Sequence, residues 1–181
     1  FGKDYSPQKR FVDNALSYAD EHNVLVIHAA GNNGENLDEK ERYPTDNLGG
    51  GIEAKNWLSV GASTHKLNKD LCGVFSNYGS KEVGLFAPGV NIISLSPENR
   101  YEMNDGTSFS CPVVSGVAAL VWSYYPQLTA LQLKNLLLNS TAKYPKQTVY
   151  YPNIKTSAKS KTRFSSLSAT GGIINAYEAL K

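Results

Sequence analysis

The feature that most constrains this chain is the run of small and apolar residues Val113-Val114-Ser115-Gly116-Val117-Ala118-Ala119-Leu120-Val121, with the turn in front of it, Asn104-Asp105-Gly106-Thr107-Ser108-Phe109-Ser110-Cys111-Pro112. A helix with one apolar stripe lies on a surface, whereas one that is apolar nearly all round has to be enclosed by other elements. Residues 108–125 predict such a helix, ended by Pro126, buried on most sides and forming the spine of the domain. The Gly- and Asp-containing turn delivers Ser108 to its first residues, where free backbone N–H groups and the positive end of the helix dipole favour negative charge. Two readings of the segment follow. Ser108 and its neighbours are an ordinary cap before a buried helix, or Ser108 is a nucleophile for acyl transfer, whose tetrahedral oxyanion nearby N–H donors would stabilise.

The rest of the chain supplies an α/β context. Ser6-Pro7 and the helical spacing of Phe11, Val12, Ala15, Leu16 and Ala19 predict a helix over 7–22. Val24-Leu25-Val26-Ile27-His28-Ala29-Ala30, dense in β-branched residues, predicts a buried parallel strand. Gly31-Asn32-Asn33-Gly34 then lies past its carboxyl end, the edge where open parallel sheets place ligand-binding groups. Residues 35–51 are polar and loop-like and suit a substrate-facing wall. Strands are expected over 57–62, 83–89 and 91–95, the last two around a Pro-Gly turn. Thr129 caps a second helix with Leu131, Leu133, Leu136, Leu137 and Leu138 as its packing face. Residues 143–168 read as an exposed extended loop or hairpin without assigned function, and 171–180 as a turn and short helix capped by Asn175.

Three blocks in this order resemble the subtilisin-like proteases, the subtilase family. Gly106-Thr107-Ser108 with Pro112 and Gly116 is similar to the family's serine signature. His28-Ala29-Ala30-Gly31-Asn32-Asn33-Gly34 is similar to the segment bearing its oxyanion-hole asparagine. Phe75-Ser76-Asn77-Tyr78-Gly79 and Phe86-Ala87-Pro88-Gly89-Val90 are similar to the stretch leading to the serine. The resemblance implies a three-layer α/β/α fold with a mainly parallel sheet, of which residues 1–181 form the oxyanion-hole and nucleophile-bearing part, the amino-terminal part being absent. It implies Ser108 as nucleophile and Asn32 as oxyanion donor. Gly2, Ala29, Ala30, Gly31 and Arg42 would be substrate contacts, and the parent would be a secreted or periplasmic endopeptidase acting on polypeptide. If Arg42-Tyr43-Pro44 backs the specificity pocket, Arg42 favours acidic or short side chains. Otherwise it points to solvent from a loop holding Asp38, Glu39 and Glu41. Phe109 stands where the family often has Met, and Val113 where His is frequent, neither in the proton path.

A serine hydroxyl needs a base, and the base an orienting acid. The chain offers His22 at a helix end, His28 inside a strand and His65 in a polar turn, none in a motif like the family's base element, and no Asp-Ser-Gly or Asp-Thr-Gly follows a strand. Subtilisin itself presents its triad in the order Asp, His, Ser, so a carboxyl-terminal portion would carry the serine and lack the other two. The missing amino-terminal portion of the same domain is thus an expected partner, and the chain alone is expected to be inactive. A noncatalytic pseudoprotease or binding domain is the rival reading. A second rival, an esterase with a Gly-x-Ser-x-Gly elbow, is opposed by Ser110 in the place of the second Gly.

Length and composition bound the remainder. With 181 residues, 41% hydrophobic, the chain makes one domain with a real core. A net charge of +2 with 18 basic and 16 acidic residues implies neither nucleic-acid nor membrane partners. Cys72 and Cys111, without metal-ligand spacing, are expected free and buried, and Cys111 structural rather than nucleophilic. No metal or cofactor is expected from the residues; calcium is implied by the resemblance alone, without an identifiable site.

Overall fold

The computed structural model describes residues 6–155 and 160–181. In chain order the elements are α1 (Lys9–Glu21), β1 (Val26–Ala29), β2 (Asn47–Gly49), β3 (Ile52–Glu53), β4 (Trp57–Ser63), β5 (Leu85–Pro88), β6 (Ile92–Ser96) and β7 (Arg100–Asn104). They continue as α2 (Thr107–Tyr124), α3 (Ala130–Asn139), β8 (Ala142–Lys143), β9 (Thr148–Tyr150), β10 (Lys161–Arg163), β11 (Gly172–Ile173) and α4 (Ala176–Ala179). The central sheet has the order β1-β4-β5-β11-β8, parallel except for the last pair. Its carboxyl ends therefore face one way, and the loops after β1, β4 and β5 share one edge.

Alternation along the strands sorts the core into layers. Leu58, Val60, Leu85 and Ala87 face α2, α3 and α4 through Val114, Ala118, Val121, Leu133, Leu137 and Ala179. On the opposite face Phe86 packs with Val149, Phe164 and Leu167, while Trp57 meets Leu16 of α1. The fold is thus the three-layer α/β/α arrangement with a mainly parallel sheet. Gly61 belongs to the tight packing of this second face, where a Cβ would stand 2.5 Å from the Phe86 ring.

The sequence-based expectations meet several corrections. Helix α1 begins at Lys9 with Gln8 at its cap and no capping side chain, so Ser6 does not cap it. Of its apolar face only Leu16 is buried, and Phe11 is 62% exposed. Strand β1 lies at the sheet's edge and is only half-buried. Strand β6 leaves the sheet to pair with β7, a strand absent from the sequence reading. Helix α2 is not enclosed on most sides: Thr107, Ser110, Val114, Ala118 and Val121 are buried, but Leu120 is 42% and Tyr124 68% exposed, on the face shared with Ser115, Gly116, Ala119 and Ser123. Nothing among the described residues covers that face. In α3 the Thr129–Gln132 capping box is present and Leu133 and Leu137 are buried, while Leu131 is exposed. Residues 143–168 do contain the hairpin β9–β10 but are not a surface loop, because Val149, Phe164 and Leu167 are fully buried. Cys72 is buried and Cys111 half-buried, and both are free. Asn175 caps α4 as expected, its side chain accepting from the Glu178 N–H.

Candidate active site

The site lies where the loops after β1 and β5 meet the start of α2. Gly31 has φ +102°, which L side chains rarely adopt, and a Cβ there would meet the Asn77 side chain at 2.6 Å. Asn77 is fully buried and binds this loop from both ends. Its Nδ2 donates to the Ala30 carbonyl at 2.9 Å, and its Oδ1 accepts from the Asn33 and Glu35 N–H groups at 3.0 Å. From the other side, Gly106 is fixed by its N–H to the Gly89 carbonyl at 2.8 Å, and Asp105 accepts from the Asn91 N–H at 2.7 Å. The first turn of α2 is anchored beneath the sheet edge by Ser110 Oγ donating to the Ala87 carbonyl and Cys111 Sγ to the Ile27 carbonyl.

Thr107 joins the two halves. Its N–H and hydroxyl both donate to Asn32 Oδ1, at 3.0 and 2.9 Å, and its Oγ1 accepts from the Gly31 N–H at 3.1 Å. With Oδ1 saturated, the orientation of the Asn32 amide is set, and its Nδ2 has no acceptor among the described residues. Ser108 follows at the second position of α2, exposed, where backbone N–H groups lack intrahelical partners. Asn32 Nδ2 and Ser108 Oγ flank Gly106: a Cβ on this glycine would lie 3.5 Å from the first and 2.9 Å from the second. An amide donor and a hydroxyl therefore flank one small volume at the start of α2, where the helix's positive end favours an anion beside an alcohol.

None of the three histidines bonds to Ser108. His22 Nδ1 lies 2.8 Å from the Tyr18 carbonyl at the end of α1. His28 stacks on Trp57 with ring centroids 4.5 Å apart, and burial lowers its pKa to about 4, leaving it neutral at pH 7. His65 is exposed in the loop after β4. Ser108 Oγ has no hydrogen-bond partner among the described residues.

Of the other sequence-predicted site residues, Gly2 lies outside the described residues. Ala30 is 1% exposed, so only its backbone can meet a ligand, while Ala29 and Gly31 are half-buried. Arg42 does not point to solvent: with 10% side-chain exposure, its guanidinium pairs with Glu35, which also receives Lys155 at 2.7 Å and Lys40 at 3.4 Å. Desolvation would raise the Glu35 carboxyl, but the bonds from Lys155, Arg42 and Lys40 prevail and hold it at about 2. Arg42 also lines a cavity of about 300 Å³ with His28, Trp57 and Ser59, away from Ser108 and Asn32, where burial raises the pKa of Asp46 and Glu82. Among the described residues no group of three or more His, Cys, Asp or Glu side chains is arranged to hold a metal ion. Sequence reasoning missed the structural roles of Thr107 and Asn77. Both sit inside the motif blocks, but nothing in residue type distinguishes an asparagine that braces a loop from one that turns it.

The sequence model of the subtilase family matches residues 1–168. Subtilisin DY of Bacillus licheniformis is 36% identical over 143 residues, 79% of this chain and 47% of the relative. The extracellular basic protease of Dichelobacter nodosus is 38% identical over 132 residues, covering 67% of this chain and 20% of its own length. Subtilisin-like protease 3 of Plasmodium falciparum (isolate 3D7) is 30% identical over 176 residues, 92% of this chain and 21% of that protein. Among solved structures, one of the subtilase cytotoxin SubAB assembly superposes with TM-score 0.73 at 25% identity, covering 98% of this chain and 54% of that one. The prenylagaramide maturation protease PagA gives 0.67 at 29% identity, covering 94% and 54%. The chain thus spans about half, or less, of the length of the relatives it matches.

Proposed function

The chain belongs to the subtilase family, and from that premise we propose that it is the nucleophile-bearing portion of a serine endopeptidase. The observation that carries the reading is the Asn32 amide, locked by Thr107 with Nδ2 unengaged, beside Ser108 at the start of α2. In the proposed reaction Ser108 Oγ attacks the substrate carbonyl carbon and its proton passes to an imidazole from outside these residues. The oxyanion is held by Asn32 Nδ2 and the Ser108 N–H. The C–N bond then breaks, the amine leaves with that proton, and water repeats the sequence on the ester. The supporting observation for an external base is that every histidine of the chain is placed elsewhere.

The backbone of residues 29–31 and, as a wall held by Glu35, Arg42 are proposed substrate contacts, together with Gly2. The face of α2 and the edge of β1 that no described residue covers are the proposed seat of the upstream portion of the domain. Secretion is proposed from the extracellular relative named above, and no helix among the described residues is long and apolar enough to cross a membrane. The test is the intact enzyme carrying Asn32→Leu. It should lose about 100- to 1000-fold in kcat with KM little changed, the loss known for removing this donor in subtilisin. A large rise in KM at unchanged kcat would refute the oxyanion role.

A further inference from the structure

Alternation puts Trp57 and Ser59 on the face of β4 opposite Leu58 and Val60, which pack on the helices. The parallel register pairs Ser59 with His28 of β1, so the hydroxyl and the imidazole stand side by side on that face. Together the three residues floor the cavity of about 300 Å³ that loop 35–47 walls. Ser59 is only 4% exposed, yet neither its hydroxyl nor the His28 ring has a hydrogen-bond partner among the described residues. Buried polar groups are as a rule hydrogen-bonded, so two such groups facing one cavity call for a partner inside it.

The charge of the wall says what kind of partner fits. Asp38, Glu39 and Glu41 are taken up by donors from Ser80, Asn36 and Tyr43. Asp46, Glu53 and Glu82 also line the cavity and have no cationic partner among the described residues. Lys134, whose charge reaches Asp46 and Glu53, gives its ammonium to the Lys55 carbonyl at 3.0 Å. Arg42 on the same wall is neutralised by Glu35. Burial first, and then repulsion from neighbouring carboxylates, raises the pKa of Asp46 and Glu82, as for anions short of a counter-charge. No group of three or more His, Cys, Asp or Glu among the described residues is arranged to hold a metal ion, so the charge suits a larger, organic cation. Leu37, Pro44 and Trp57 line the same space and offer apolar surface to a hydrocarbon stem.

We propose that this cavity binds a primary alkylammonium group, carried by a free polyamine or by the side chain of a lysine in a polypeptide. The three N–H groups of an ammonium match the acceptors that face the cavity: Ser59 Oγ, the unprotonated nitrogen of His28 and the unpaired carboxylates. Neither Ser108 nor Asn32 lines the cavity, so the inference stands apart from the peptidase reading and its test needs no turnover.

The experiment is isothermal titration calorimetry of this chain with spermidine and with N-acetyl-lysine methylamide, at about 150 mM salt so that exposed charges are screened. Binding of either amine is the expected result, the tighter of the two identifying the source of the ammonium. Affinity should fall about tenfold in Glu82→Gln and in Ser59→Ala, the size expected for losing one bond to a charged group. The Nε-acetylated lysine derivative, which has the stem without the charge, should not bind the wild type. Equal binding of that derivative, affinity unmoved by both substitutions, or binding of calcium with neither amine would each overturn the proposal.

Discussion

At the residue scale, the site is a matter of which atom of Asn32 is left over. Its Oδ1 is filled by two donors of Thr107, so the residue before the proposed nucleophile orients the proposed oxyanion donor. Thr107→Val removes the hydroxyl donor and the acceptor for the Gly31 N–H but keeps the Thr107 N–H bond. It should lower kcat of the intact enzyme by about tenfold, a partial share of the oxyanion-hole effect, with KM unchanged; stopped-flow kinetics with a peptide anilide checks it. His28 is a second residue with a measurable signature. Its folded pKa of about 4 lies below the unfolded value, so protonation favours the unfolded chain. The stability it contributes is whole above the unfolded pKa near 6.5 and declines as pH falls toward 4, by roughly 2–3 kcal/mol in total. Urea titrations should show this slope in the wild type and a flatter one in His28→Gln. That Ser108 and Asn32 stand together about Gly106 was legible in the sequence because a motif fixes both residue type and place. The role of Asn77 was not, because its four contacts with the 30–35 loop depend on two loops, distant in sequence, meeting in space.

At the element scale, periodicity located α2, α3 and β4 within a residue or two, since their apolar positions repeat without interruption. It failed for 143–168, where Val149, Phe164 and Leu167 are isolated among Lys, Ser and Thr and yet fill the second face of the sheet. Single apolar residues carry no period, and only tertiary packing shows their weight. Phe164, fully buried with its ring centroid 5.1 Å from that of Phe86, is the clearest example. Phe164→Ala should cost about 3–5 kcal/mol, read as a large fall in Tm by calorimetry; a shift no larger than that of a surface substitution would return the segment to the status of a loop. Helix α2 errs the other way, because sequence shows that a helix is apolar all round but not which neighbours are present to cover it. The exposed stripe from Pro112 through Gly116 and Leu120 to Tyr124 is the result.

At the scale of the whole molecule, the α2 face and the β1 edge, which no described residue covers, adjoin the candidate site, where none of the three histidines bonds to Ser108. Unpaired strand edges and apolar faces recruit other chains, so the chain by itself should self-associate, and sedimentation velocity should show the sedimentation coefficient rising with concentration. One missing neighbour accounts for both features if it brings the imidazole as it covers the face. The direct measurement is mass-spectrometric stoichiometry of fluorophosphonate labelling at Ser108, for this chain alone and for the chain joined to its upstream segment. Little labelling of the first and near-complete labelling of the second are expected, because triad members act as a unit. Stoichiometric labelling of the chain alone, abolished by replacing His22, His28 or His65, would instead place the base within these residues and overturn the proposed external imidazole.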